Sequence, residues 1–264
     1  MRLTLLLSND NDRAVIDPAS GGRLASLQIG GEEVLVTEGS GATEWGCYPM
    51  APWAGRIRDG RFVWSDEARQ VPINWPPHAL HGTVFDSSWE ITEPGAIRCK
   101  LGSTWPWPGE VRSYFELNAG ELFWRLEVHT ETDEFPVVVG WHPWFRRQLS
   151  DGSPAKLSFN PTEMYERDDT GIPTGKRVVP TPGPWDDCFT GVAYSPILTW
   201  ANGLNVEVSS SCDHWVVYDQ PEHAICVEPQ SGPPDAFNLE GFAIARPSQP
   251  VCHTMRLRWW KSEE

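Results

Sequence analysis

The stretch from Leu122 to Thr130 restricts this chain more than any other. Leu122, Trp124, Leu126 and Val128 alternate with Arg125, Glu127 and His129, and a period of two fits a strand with one wet face rather than a helix. A second apolar run, Val111–Leu117, precedes it across Asn118-Ala-Gly-Glu121, so the two read as neighbours in a meander. Gly21–Ile29 and Glu32–Val36 flank a Gly30-Gly31 turn, and Trp200–Val208 contains Asn202-Gly203; both are hairpin signals. In the first hairpin Leu24, Leu27 and Ile29 share a face only if a bulge falls at Ala25-Ser26. Further strands are expected at the N-terminus up to Ser8, at Ile97–Ser103, Arg61–Trp64 and His214–Tyr218, and finally at His253–Trp260 before a solvated tail, Lys261–Glu264. With 15 Trp, 24 Pro and no long helical pattern, the chain reads as all-β.

Length and charge bound its partners. The 264 residues, 40% hydrophobic and evenly spread, are expected to form a single domain, 1–264, with a sizeable core. A net charge of −15 argues against nucleic acid and anionic membranes, which need basic surfaces. The N-terminal Met1-Arg-Leu-Thr-Leu-Leu-Leu lacks a following cleavage site, and no apolar run approaches membrane-spanning length. Six scattered cysteines without metal-like spacing suggest reduced thiols in a cytoplasm, with periplasmic disulfides as the alternative. The segment 150–184 reads as a long loop.

The residues that carry chemistry are few. Glu228 follows the apolar run Ala224–Val227 and precedes a proline-rich turn, which places a carboxylate at a buried strand end. His142 precedes Pro143 after another buried run, and a proline there should stop pairing and turn the chain. His81 lies beside Gly82, whose bare backbone would admit a ligand. His78 and His81, three apart, could pair on a metal only on a helix, which Pro76 and Pro77 oppose; no metal site is expected. Arg56 sits among Trp53, Ala54 and Ile57 and needs an acceptor if buried. Asp186 and Asp187 are ordinary turn residues by default, and His129, in the polar register, should be solvated.

Gly55-Arg56-Ile57, Leu80-His81-Gly82, His142-Pro-Trp-Phe145, Trp185-Asp186 and Val227-Glu228-Pro-Gln230 with Asp235-Ala-Phe-Asn238 occur in an order that resembles the aldose 1-epimerase (galactose mutarotase) family over nearly the whole chain. The resemblance implies a large antiparallel β-sandwich of the galactose-mutarotase type, a supersandwich, with a sugar lying across one sheet face. It implies Glu228 as general base, His142 as general acid and His81 as a polarising partner, with Arg56 and Asp186 binding hydroxyls. Gly55 stands where the family commonly has Asn, which removes one side-chain partner for the sugar.

The chemistry can also be reasoned directly. Exchanging α and β anomers requires one base for the anomeric hydroxyl and one acid for the ring oxygen, and a carboxylate with a histidine supplies both without a cofactor. Three rivals remain: a glycoside hydrolase using Glu228 and Asp186, a sugar-binding protein without catalysis, and an epimerase for a hexose 6-phosphate held by Arg146 and Arg147. No G-x-S-x-G, dinucleotide or P-loop motif occurs.

Overall fold

The alternation at Leu122–Val128 becomes the strand Glu121–Thr130, paired along its length with Gly109–Asn118 and Val251–Lys261. Leu122, Trp124, Leu126 and Val128 are all fully buried. Ser113, on the neighbouring strand, is buried with them, and its hydroxyl oxygen accepts from the Trp124 indole at 3.1 Å, so the inward row carries no unmet donor there. The computed structural model describes residues 3–262. Within them the regular elements are β-strands and two short 3-10 turns, Pro18–Ser20 and Arg58–Gly60.

Two large antiparallel sheets dominate. The eight-stranded one runs Glu90–Glu93, Ala96–Lys100, Gly109–Asn118, Glu121–Thr130, Val251–Lys261, Leu204–Ser210, Ile197–Trp200 and Ala155–Ser158. The eleven-stranded one runs from Leu5–Ser8 through Asp12–Asp17, Arg23–Ile29, Cys47–Met50, Gly140–Arg146, Ala224–Gln230, His214–Tyr218, Asp186–Thr190 and Glu163–Arg167 to Pro173–Val178, with Glu32–Glu33 beside Arg23–Ile29. Trp141 of the larger sheet meets Trp124 of the smaller edge-on, with ring centroids 6.2 Å apart. Strand parity then fixes the rest: Trp141 and Phe145 point into the sandwich, and His142 and Trp144 point to the opposite face.

The bulge expected in the first hairpin is present. Val15 pairs with Ser26 and Ile16 with Leu24, so Ala25 is the extra residue and Leu24, Leu27 and Ile29 are all buried. The N-terminal strand begins at Leu5, and Met1 and Arg2 lie outside the described residues, as do Glu263 and Glu264 of the expected tail.

Two expectations are corrected. The segment 150–184 is not one loop, because Ala155–Ser158 joins one sheet while Glu163–Arg167 and Pro173–Val178 close the edge of the other. These strands are only four to six residues long, and Pro173–Val178 is exposed at four successive positions, so they leave little periodic signal in the sequence. Nor does Pro143 end its strand, since Gly140–Arg146 runs through it and pairs Pro143 with Cys47. Likewise Ala224–Gln230 continues past Glu228 through Pro229. Each proline removes one N–H, and pairing on either side carries both strands across.

Candidate active site

Register assembles the floor. Gly140 pairs with Gln230 and Trp144 with Cys226, so the same register sets His142 directly opposite Glu228, beside the two prolines. On its other side His142 pairs with Tyr48. His142 and Glu228 are almost wholly buried, and His142 Nε2 lies 3.1 Å from Glu228 Oε1. One step along the same face, Trp144, Cys226, Tyr218 and Asp186 form the next cross-strand row.

The His142 ring packs against others. Tyr48 stacks against it at 4.8 Å and Trp144 at 5.4 Å. Tyr48 is in turn fixed by Arg23, a buried guanidinium 5.3 Å from its ring that donates to the carbonyls of Ser20, Trp45, Ala42 and Phe85. Burial drives the Arg23 pKa down to about 10, and the four carbonyls keep the cation satisfied.

Arg56 and His81 come from outside the large sheets, on the two-stranded pair Arg56–Ile57 and Ala79–Leu80 and the residue after it. The His81 N–H donates to Gly55 O at 2.9 Å, and the His81 ring meets His142 edge-on at 5.2 Å. His81 has φ +59, a backbone region that costs a non-glycine residue about 1–3 kcal/mol. Gly82 is needed for a different reason from the one expected. With φ +83, an added Cβ would lie 2.0 Å from Ala51 O, so the close neighbour is the protein's own backbone. Asp235 locks this corner: its N–H donates to Arg56 O at 2.6 Å, and Oδ1 accepts from the Arg58 N–H at 2.9 Å.

Arg56 faces a carboxylate as an ion-pair partner, Asp186 Oδ2 at 3.6 Å, beyond hydrogen-bond distance. Arg167 also reaches that oxygen, at 3.2 Å. Arg56, His81, His142, Asp186 and Glu228 thus all line one cavity of about 250 Å³, near the small end for ligand pockets.

Burial sets the electrostatics. The Glu228 carboxyl is pushed well above its ordinary range by desolvation and then by the nearby Asp186. Gln230 opposes this, donating from Nε2 to Glu228 Oε2 at 3.2 Å. Desolvation drives His142 down to about 3, and it drives His81 well below the usual imidazole value, with His142 and Arg56 adding to the effect. Asp186 is raised by burial against the pull of Arg56 and Arg167. Desolvation therefore favours an uncharged Glu228–His142 pair when the cavity is empty, with one mobile proton between Oε1 and Nε2.

Other candidates lie elsewhere. Arg146 donates to Leu35 O, and Arg147 donates to the carbonyls of Pro221, Asp219 and Ala224; neither lines the cavity. His129 is half-buried and bonded to Glu127 at 2.9 Å rather than free in solvent. His78 Nδ1 accepts from the Asp59 N–H at 3.2 Å. Among the described residues no group of three or more His, Cys, Asp or Glu side chains is gathered as a metal set, and no helix is long and apolar enough to cross a membrane. All six cysteines are free. Tyr48, Trp144 and Gln230 shape the site without having been assigned a role from sequence. Gln230 and Trp144 stood inside recognisable motifs, whereas Cys47–Met50 is buried at every position and gives no periodic signal for Tyr48.

A sequence model of aldose 1-epimerases matches residues 4–258. The chain belongs to the aldose 1-epimerase family. Its fold is that of a galactose mutarotase-like protein from Clostridium acetobutylicum, with a TM-score of 0.86 at 18% identity over 97% of this chain and 95% of that one. Two Escherichia coli K12 proteins are similar in sequence. The uncharacterized protein YphB is 31% identical over 110 residues, which is 39% of this chain but only 38% of YphB. The uncharacterized protein YihR is 26% identical across 82% of this chain and 86% of its own length. Gly55, at the position where the family commonly has Asn, has φ +67, and a Cβ there would meet Pro234 at 2.8 Å. A left-handed backbone tolerates either residue, but here Pro234 fills the space a side chain would need, so an Asn at this position requires the Pro234 segment to shift.

Proposed function

We propose that this protein, acting as a single domain, is a mutarotase that interconverts the α and β anomers of an uncharged aldose. The observation that carries the proposal is the 3.1 Å contact between His142 Nε2 and Glu228 Oε1 on the floor of a sugar-sized cavity. Moving the shared proton from Glu228 to His142 turns a neutral pair into a carboxylate and an imidazolium, without drawing a proton from solvent. Glu228 then takes the proton of the anomeric hydroxyl while His142 Nε2–H protonates the ring oxygen. The C1–O5 bond breaks and C1=O forms. Rotation about C1–C2 presents the other carbonyl face, O5 attacks, its proton returns to His142, and Glu228 protonates the new anomeric oxygen. His81 polarises the ring oxygen, and Arg56 with Asp186 orients hydroxyls.

Charge supports a neutral substrate. Among the described residues Arg56 is the one Lys or Arg side chain lining the cavity, and Asp186 already offsets it; Arg146 and Arg147 are committed to backbone carbonyls. Polarimetry on freshly dissolved α-glucose and α-galactose, each with and without a 6-phosphate, tests this. Faster relaxation with a free sugar is expected, a rate advantage for the phosphate would overturn the neutral-substrate reading, and no acceleration with any of them would overturn catalysis.

A further inference from the structure

Arg167 lies just behind the cavity wall and takes no part in the proton transfers. The pairs Glu163–Thr190 and Met164–Phe189, continued along the same two strands, set Arg167 opposite Asp186, so their contact is a cross-strand ion pair. Arg167 Nη1 donates to Asp186 Oδ2 at 3.2 Å, and Nε lies 2.8 Å from Asp187 Oδ1. One planar fork thus ties two consecutive carboxylates through separate nitrogens. The next residue fixes the end of the strand. Asp168 Oδ2 accepts from Arg58 Nη2 at 2.7 Å, and Oδ1 accepts from the N–H groups of Thr170 and Ile172. A Cβ on Gly171, in the same turn, would lie 3.6 Å from Arg56 Nη1, so this turn borders the guanidinium of the cavity. Asp186 and Arg56 line the cavity, whereas Arg167 and Asp187 do not.

We propose that Arg167 is a positioning residue, the standing counter-ion of Asp186, which leaves Arg56 free to donate to a sugar hydroxyl. The proposal rests on the mutarotase reading for the reaction and on Asp186 and Arg56 as hydroxyl ligands. The two guanidinia hold the same oxygen differently. Arg167 is hydrogen-bonded to it, while Arg56 stands 3.6 Å away, beyond hydrogen-bond distance. A partly buried carboxylate deprived of the Arg167 bond would draw Arg56 into a closed pair, and a hydroxyl would then have to break that pair in order to bind. Charge balance points the same way. Asp187, Glu228, Tyr218 and Cys226 are the other titratable groups around Asp186, and none of them supplies a cation. Burial raises the Asp186 pKa, and Arg56 and Arg167 pull against it. Arg167 therefore keeps Asp186 ionised as an acceptor while Arg56 acts as a donor.

The test follows mutarotation of α-glucose and α-galactose by polarimetry from pH 5 to 9 in the wild type, Arg167→Gln, Arg167→Lys, Asp186→Asn and the double variant Arg167→Gln with Asp186→Asn. Arg167→Gln should raise KM about tenfold at pH 7, the worth of roughly one charge-assisted hydrogen bond, and leave kcat within about twofold. On acidification its KM should start to climb at a higher pH than in the wild type, because Asp186 takes up a proton more readily. Arg167→Lys should return that climb to the wild-type pH, since the charge is back, but recover only part of the KM, since one ammonium cannot span both carboxylates. With Asp186→Asn already present, Arg167→Gln should change KM by less than about twofold. An unchanged KM in Arg167→Gln, a fall in kcat instead of a rise in KM, or the same penalty with and without Asp186→Asn would overturn the proposal. If the wild type relaxes neither sugar, calorimetric titration decides separately. A Kd about tenfold weaker in Arg167→Gln, with no further loss on Asp186→Asn, keeps the positioning role although the catalytic reading fails; an equal Kd, or no binding of either sugar, removes it.

Discussion

Gln230→Leu isolates one interaction at the proposed base. Gln230 is fully buried, and its Nε2 donates to Glu228 Oε2 at 3.2 Å, while His142 occupies Oε1. A hydrogen bond to a charged acceptor contributes about 1.5–3 kcal/mol, and 1.36 kcal/mol corresponds to one pH unit of titration. The sign is fixed because the bond favours the ionised carboxylate and works against burial. Without it the Glu228 pKa rises further, so the neutral, one-proton pair from which the proposed mechanism starts persists to higher pH. Leucine is close in volume, so the packing change is small. The alkaline limb of the kcat/KM profile for mutarotation should therefore move up by about one to two pH units in the variant. Polarimetry from pH 5 to 9, with thermal unfolding as a control for folding, reads it. An alkaline limb that stays in place would refute the idea that Gln230 acts through Glu228.

The buried histidine makes stability depend on acid. His142 titrates at about 3 when folded and near 6.5 when unfolded, so the unfolded chain binds more protons between those values. The His142 contribution is then complete above pH 6.5 and falls as pH drops towards 3, by up to about 1.4 kcal/mol per unit, while the raised Glu228 pKa acts in the opposite sense as pH rises above the ordinary carboxylate range. His142→Gln should make the rise of urea-unfolding stability from pH 5 to 6.5 smaller than in the wild type, and an unchanged slope would contradict the burial argument. Gly82→Ala should lose about 2–4 kcal/mol, combining left-handed strain with the collision at Ala51 O. Gly30→Ala, which has the same sign of φ but open space around it, should lose only about 1 kcal/mol; equal midpoints for the two variants would show that the collision is relieved.

Legibility followed burial pattern. Strands with one wet face, such as Glu121–Thr130, and hairpins with Gly-Gly or Asn-Gly turns could be read because each side chain reports its face. The central strands Gly140–Arg146 and Ala224–Gln230 are buried almost throughout, so sequence identified them as strands but not where they end. A proline in such a run reads as a terminator, yet the pairs flanking Pro143 and Pro229 carry both strands past them. The five candidate site residues could be picked out by residue type and by family-like motifs. Their convergence on one cavity depends on register and on the Asp235 staple, neither of which a local pattern records. Tyr48, the ring stacked on His142, and Arg167, which shares Asp186 with Arg56, lay in segments whose composition reads as uniformly buried or as loop.

The central claim is that Glu228 and His142 move protons between the anomeric and ring oxygens of a sugar. Comparing wild type with Glu228→Gln by polarimetry, on whichever α-sugar the wild type relaxes fastest, tests it most directly, because glutamine keeps the shape and hydrogen-bonding reach of the side chain and removes only its basicity. A positioned base is worth about 10²–10⁴ in rate. A loss of that size, with sugar affinity by calorimetry changed little, is the expected result. Full mutarotation by Glu228→Gln would contradict the mechanism.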